Sequence, residues 1–159
     1  MSVVALATSV RANRKQNRAA VGQNQLPVVL DAFQASHAPG WIPAEEYVLT
    51  RLETEHEPDR GYRALPENAR EHAAALGLFY DDLGKLVAHH VVEKELVIGA
   101  YGGTIVRVWD ALAPYVYAER RLYGNHFWIY FEHLAALTAT TSPESVYAQL
   151  RSRPPTPRP

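Results

Sequence analysis

The sequence of 159 residues contains no cysteine. Disulfides, thiolate nucleophiles and cysteine-ligated zinc are thereby excluded, and a chain without them suits a reducing compartment. An excess of either charge is also missing. Sixteen Lys and Arg stand against 17 Asp and Glu, a formal net charge of −1. Dedicated nucleic-acid binders usually carry a strong basic surplus, so no nucleic-acid partner is expected. No run reaches the roughly 20 apolar residues that cross a bilayer. Residues 2–10 are apolar but short, and they lack the basic start and longer apolar stretch of a signal peptide. Alternating polar–apolar patterns are scarce, which argues against sheet.

What remains is a chain that is 47% hydrophobic and 21% charged, enough to build one ordinary packed domain. Apolar residues recur at helical spacing from end to end. Over residues 66–92, Ala69, His72, Leu76, Phe79, Leu83, Leu86 and His90 form one stripe, with Pro66 as the first helical residue and Glu67 favourable to the dipole behind it. A helix over about 43–53 opens at Pro43 and turns Tyr47, Val48 and Leu52 inward. A shorter one over 26–34 does the same with Leu26, Val29, Leu30 and Phe33. Gly102-Gly103 is read as a break between a short helix, 93–100, and a longer one, 104–123. The longer helix carries Ile105, Val108, Trp109, Leu112 and Val116 inward, and Pro114 is expected to kink it. Gly124-Asn125 ends that helix and caps the next, 126–138, which is apolar over much of its girth. Ser142-Pro143-Glu144 signals one more start. The stretches 36–41 and 55–63 read as loops. The expected fold is an all-α, single-domain bundle of five to seven helices over residues 23–152. A basic segment of helical potential, 1–22, precedes it, and a disordered Pro-rich tail, 153–159, follows.

The core over residues 26–139 resembles an uncharacterised bacterial family, number 4760 among the domains of unknown function. The resemblance rests on an order of features. A helix start, Leu65-Pro66-Glu67-Asn68-Ala69-Arg70, is followed by Phe79-Tyr80-Asp81-Asp82-Leu83 and Gly102-Gly103. Then come Trp109-Asp110-Ala111-Leu112-Ala113-Pro114-Tyr115, Ala118-Glu119-Arg120-Arg121, Gly124-Asn125 and the aromatic run Phe127-Trp128-Ile129-Tyr130-Phe131. It implies a helical fold and no transferable activity. Such domains often sit behind an N-terminal membrane helix, a place held here only by residues 2–10.

The candidate sites are few. Seven histidines invite a metal, but His89-His90 point about 100° apart on a helix, His126 and His133 are two turns apart, and no HExxH is present. No metal and no cofactor are expected. Asp81-Asp82 and the Glu93–Glu95 pair read as solvated helix faces, and Gly102-Gly103-Thr104 as a plain turn without the spacing of a phosphate loop. No catalytic residue is therefore assigned. Trp109, Asp110, Tyr130 and His133 are the candidates for a ligand or partner site between helices, which would make the chain a small-molecule binder or enzyme. The charges along the Trp109 helix, Arg107, Asp110, Glu119, Arg120 and Arg121, are read as supplying an internal pair that orients the bundle. Arg11, Arg14, Lys15 and Arg18, unaccompanied by acid in the first 30 residues, are candidates for weak contact with an anionic membrane surface. The aromatic run 127–131 cannot all face inward, and its surplus would suit a partner or second copy. The leading expectation is a non-catalytic helical interaction module that self-associates. It would be cytoplasmic, with the inner face of the membrane as the alternative location.

Overall fold

A computed structural model describes residue 27 and residues 30–141 and 143–148. The basic segment 1–22, the expected inward positions Leu26 and Val29, the capping Ser142 and the tail 153–159 lie outside the described residues. The chain divides into two compact units, Met1–Ala38 and Pro39–Pro159. In the first, residues 30–36 are helical (α1), Ser36 Oγ donates to the Phe33 carbonyl at 3.1 Å, and Leu30 is exposed rather than inward.

The second unit contains α2 (Trp41–Thr50), α3 (Leu52–Glu55), two 3₁₀ turns (Pro58–Arg60 and Tyr62–Ala64), α4 (Glu67–Ala88), α5 (Lys94–Tyr123), α6 (Ile129–Thr140) and α7 (Pro143–Tyr147). The fold is all-α, and the described residues contain seven α-helices and no strand. Helix α2 starts two residues before Pro43. That places the proline within the first turn, where backbone N–H groups have no intrahelical acceptor to lose. The loop expected over 55–63 is largely wound into the 3₁₀ turns. Helix α4 stops at Ala88 because His90 adopts a left-handed conformation (φ 56°) and Val91 N–H turns back to the Leu86 carbonyl at 2.8 Å, a helix ending of the Schellman kind.

Gly102-Gly103 does not break the chain. Helix α5 runs unbroken through both glycines and through Pro114 for 30 residues. Each glycine costs about 1 kcal/mol of helix propensity relative to alanine, but Ile98 and Ile105 on either side are fully buried. A break would cost that burial. Gly102 is itself needed, since a Cβ there would lie 2.6 Å from Pro143 Cγ of α7.

Helix α5 is the spine of the unit, packing on α2, α4, α6, α7 and the 3₁₀ turns. Leu52, Leu76, Ile98, Ile105, Leu112 and Leu134 are fully buried around it. Tyr80 and Phe131 stack with ring centroids 5.1 Å apart, and Trp109 meets Phe131 edge-on at the same distance. By length and composition α5 is also the one described helix able to span a membrane, with mean hydropathy 1.2 over its most apolar stretch. The core helix of a bundle meets the same criterion, and Ile105, Val108, Leu112 and Val116 are wholly covered by protein.

Candidate functional site

Three polar or charged side chains are buried among the described residues: Asp81, Glu119 and Thr138. Thr138 donates to the Leu134 carbonyl within its own helix at 2.8 Å. The other two join separate elements.

Asp81 does not lie on a solvated face as expected. It sits between Gly77 and Gly84 on the side of α4 that receives the start of α6. A Cβ at Gly77 would fall on the indole of Trp128, and one at Gly84 on the Tyr130 carbonyl. The absence of both side chains lets α6 approach closely. There Asp81 Oδ1 accepts the N–H groups of Tyr130 and Phe131 at 3.0 and 3.1 Å. The first N–H groups of a helix need an acceptor, usually supplied by the residue just before it. That residue is Trp128, in a left-handed conformation and without a capping side chain. Asn125, the expected cap, instead accepts Phe127 N–H at 3.2 Å in the preceding turn. The α4 carboxylate caps α6 from across the bundle, where its charge also meets the positive end of the helix dipole. Lys85 Nζ reaches Asp81 Oδ2 at 2.9 Å and Asp82 Oδ1 at 3.0 Å. Hydrogen bonds to these two carboxylates raise the lysine pKa.

Glu119 of α5 is fully buried and faces the 3₁₀ turns. Its Oε2 accepts Arg63 N–H at 3.1 Å, and its Oε1 lies 2.8 Å from Arg63 Nε. That second contact is an ion pair and not an aligned hydrogen bond. The close approach requires Gly61, whose backbone is left-handed (φ 77°) and whose missing Cβ would lie 2.9 Å from Oε2. The Arg63 guanidinium covers the Tyr123 ring at 4.5 Å. One residue on, Arg120 pairs with Glu132 of α6 and donates to the Phe127 carbonyl at 2.9 Å. Tyr117 donates to the same Glu132 at 2.9 Å. Burial tends to raise the Glu132 pKa, but the hydrogen bonds from Arg120 and then Tyr117 outweigh it and hold the carboxyl below its ordinary value.

A further polar cluster ties α2 to α3. Tyr47 Oη donates to Glu55 at 3.0 Å and lies 2.9 Å from His56 Nε2, while Arg51 Nε donates to Glu55 at 2.7 Å. Beneath it, Tyr115 of α5 donates to the carbonyls of His56 and Leu52 at 2.6 and 3.1 Å. Burial, followed by the nearby Glu53 charge, pushes the Tyr115 hydroxyl up to about 12. Folding thus favours the protonated phenol. Its contribution is whole below the ordinary tyrosine pKa near 10 and is lost as pH rises towards about 12. Tyr115→Phe is expected to lower stability by about 1 kcal/mol at neutral pH and to make the alkaline decline shallower than in the wild type. Urea titrations from neutral pH to about pH 11 check this, and parallel curves for the two proteins would contradict it.

The four residues proposed from sequence as a pocket share no hydrogen bond, ion pair or ring contact with one another among the described residues. Trp109 is core, packed on Phe131 and Tyr117. Asp110, its neighbour, is exposed. Tyr130 is half-buried, with Lys85 Nζ 5.8 Å from its ring centre and the His89 ring at 5.9 Å. His133 is exposed. Arg11, Arg14, Lys15 and Arg18 lie outside the described residues. Among the described residues no group of three or more His, Asp or Glu is placed to hold a metal ion. Sequence reasoning missed the cap at Asp81. Its only signal was a pair of glycines, Gly77 and Gly84, flanking an acid at helical spacing. Of the charges read as forming an internal pair, Glu119 meets Arg63 and Arg120 meets Glu132, whereas Arg107 and Asp110 are exposed and form no ion pair among the described residues.

Fold and buried groups together define an all-α domain whose described interior charges join elements far apart in the chain. The chain belongs to the family Domain of unknown function (DUF4760), whose model matches residues 1–138. No curated protein and no solved structure matches it.

Proposed function

We propose that this chain is a helical interaction module that associates with itself and has no catalytic centre. One contrast carries the reading. The buried carboxylates Asp81 and Glu119 are consumed in holding α6 and the 3₁₀ turns, while large apolar side chains stand in solvent. Ile42 is 74% exposed, Leu78 54% and Leu122 53%. Isolated exposed apolar residues are common on any protein, but several bulky ones on one small unit suit a surface that a partner covers. A pocket near Trp109 and Asp110 gains no support from their placement, one buried against rings and the other in solvent. The proposed location is the cytoplasm, and the four bases Arg11, Arg14, Lys15 and Arg18 support weak contact with an anionic membrane surface there.

Light scattering coupled to size exclusion tests the reading on the full chain across a wide concentration range. The expected result is a mass at least twice that of one chain, rising with concentration. A single-chain mass at the highest concentration the protein tolerates would overturn it.

A further inference from the structure

The solvent side of α5 shows a regular pattern. Between Leu96 and Arg121 the exposed positions recur at alternating steps of four and three residues, and every residue between them is at least partly buried. That is a heptad stripe, the spacing by which two helices pack side by side at about 20°. Its two charges at the centre, Arg107 and Asp110, are equidistant from the ends of the helix at Lys94 and Tyr123. Both are exposed, and neither forms an ion pair among the described residues.

We propose that this stripe is the surface on which a second copy of the chain docks, with the two α5 helices antiparallel about a two-fold axis between Arg107 and Asp110. The inference rests on the self-association proposed above and assigns it a contact surface on α5 that does not include the exposed Ile42, Leu78 and Leu122. In a two-fold interface each contact occurs twice, with the roles exchanged. Arg107 then faces Asp110 of the second copy, and Asp110 faces its Arg107, so the charges are complementary only in the antiparallel register. The same register matches sizes along the stripe. Gly103 receives Pro114 of the second copy, and Ala100 receives its Tyr117. A side chain at Gly103 would meet nothing within 4 Å among the described residues, which leaves that space to a partner. A parallel pair would instead set Arg107 beside Arg107 and Asp110 beside Asp110, a repulsive arrangement.

Charge reversal tests this on the full chain, by sedimentation equilibrium. Arg107→Asp makes the centre wholly acidic and Asp110→Arg makes it wholly basic. Each alone is expected to weaken the homodimer roughly a hundredfold, because a like-charge contact is created twice. Mixed one to one, the two variants should form a heterodimer of near wild-type affinity. The double variant carrying both changes in one chain should recover the homodimer. Gly103→Gln should block the close approach of the helices and weaken association while leaving helical circular dichroism intact. Self-association that survives both reversals unchanged, or reversed variants that fail to pair when mixed, would overturn the α5 surface and leave the broader reading standing. A wild type that is monomeric throughout would remove that broader reading as well.

Discussion

Gly84→Ala is expected to destabilise the protein by about 3 kcal/mol, or roughly 10 °C in Tm for a chain of this size. Helix propensity alone gives the opposite sign, since alanine is favoured over glycine by about 1 kcal/mol inside a helix. The difference lies in what the new methyl group meets. At Gly84 it falls on the backbone carbonyl of Tyr130. A flexible side-chain end could turn aside, but this carbonyl belongs to the first turn of α6, and that turn is held by Asp81. The two helices must part, and the stacking of Tyr80 on Phe131 is disturbed with them. At Gly103 of α5 a methyl meets nothing within 4 Å among the described residues, so at concentrations where the chain is dissociated Gly103→Ala should follow propensity and stabilise by roughly 0.5–1 kcal/mol. Urea unfolding of both variants checks the pair of signs. Equal and stabilising effects would show that α4 and α6 are not packed as closely as described.

Asp81→Ala is expected to cost a similar amount, about 3 kcal/mol, by another route. It leaves the N–H groups of Tyr130 and Phe131 without an acceptor at a buried helix start, each a loss of about 1–3 kcal/mol before relaxation, and it uncaps α6. Asp81→Asn keeps an oxygen in the place of Oδ1 and loses the charge, including the pair with Lys85. That pair has a half-exposed partner, so its loss should cost about 1 kcal/mol or less. Amide hydrogen exchange gives a local readout. The Tyr130 and Phe131 amides should be protected in the wild type and in Asp81→Asn, and should exchange much faster in Asp81→Ala. Unchanged protection in Asp81→Ala would mean that α6 begins without help from α4.

Sequence periodicity located α4 well, yet mistook its inner face. The apolar stripe from Ala69 to Leu86 is one edge of a wider buried arc that also contains Ala73, Gly77, Asp81 and Gly84. These residues are small or polar and leave no trace in a hydrophobic pattern, because a glycine offers no apolar side chain to count. Their burial follows from α4 being gripped by both α2 and α6. The break assigned to Gly102-Gly103 failed for a related reason. Local propensity disfavours helix there, but Ile98 and Ile105 draw the flanking turns into one core. At Gly124 the local signal was sufficient. A left-handed residue (φ 63°) ends α5 where a glycine was expected to end a helix. The candidate residues Trp109 and Asp110 stand next to each other in the chain and on different sides of α5, one in the core and one in solvent, as a step of about 100° per residue requires.

The sequence by itself determined that the chain is helical and, closely, where its longer helices lie, because burying apolar side chains at every third and fourth position is a local condition. Which helix caps which was decided only in three dimensions. Asp81 and Tyr130 are 49 positions apart, and Arg63 and Glu119 are 56. Their pairing depends on how closely two backbones can approach, a distance set by glycines at Gly61 and Gly84 and by the packing around them.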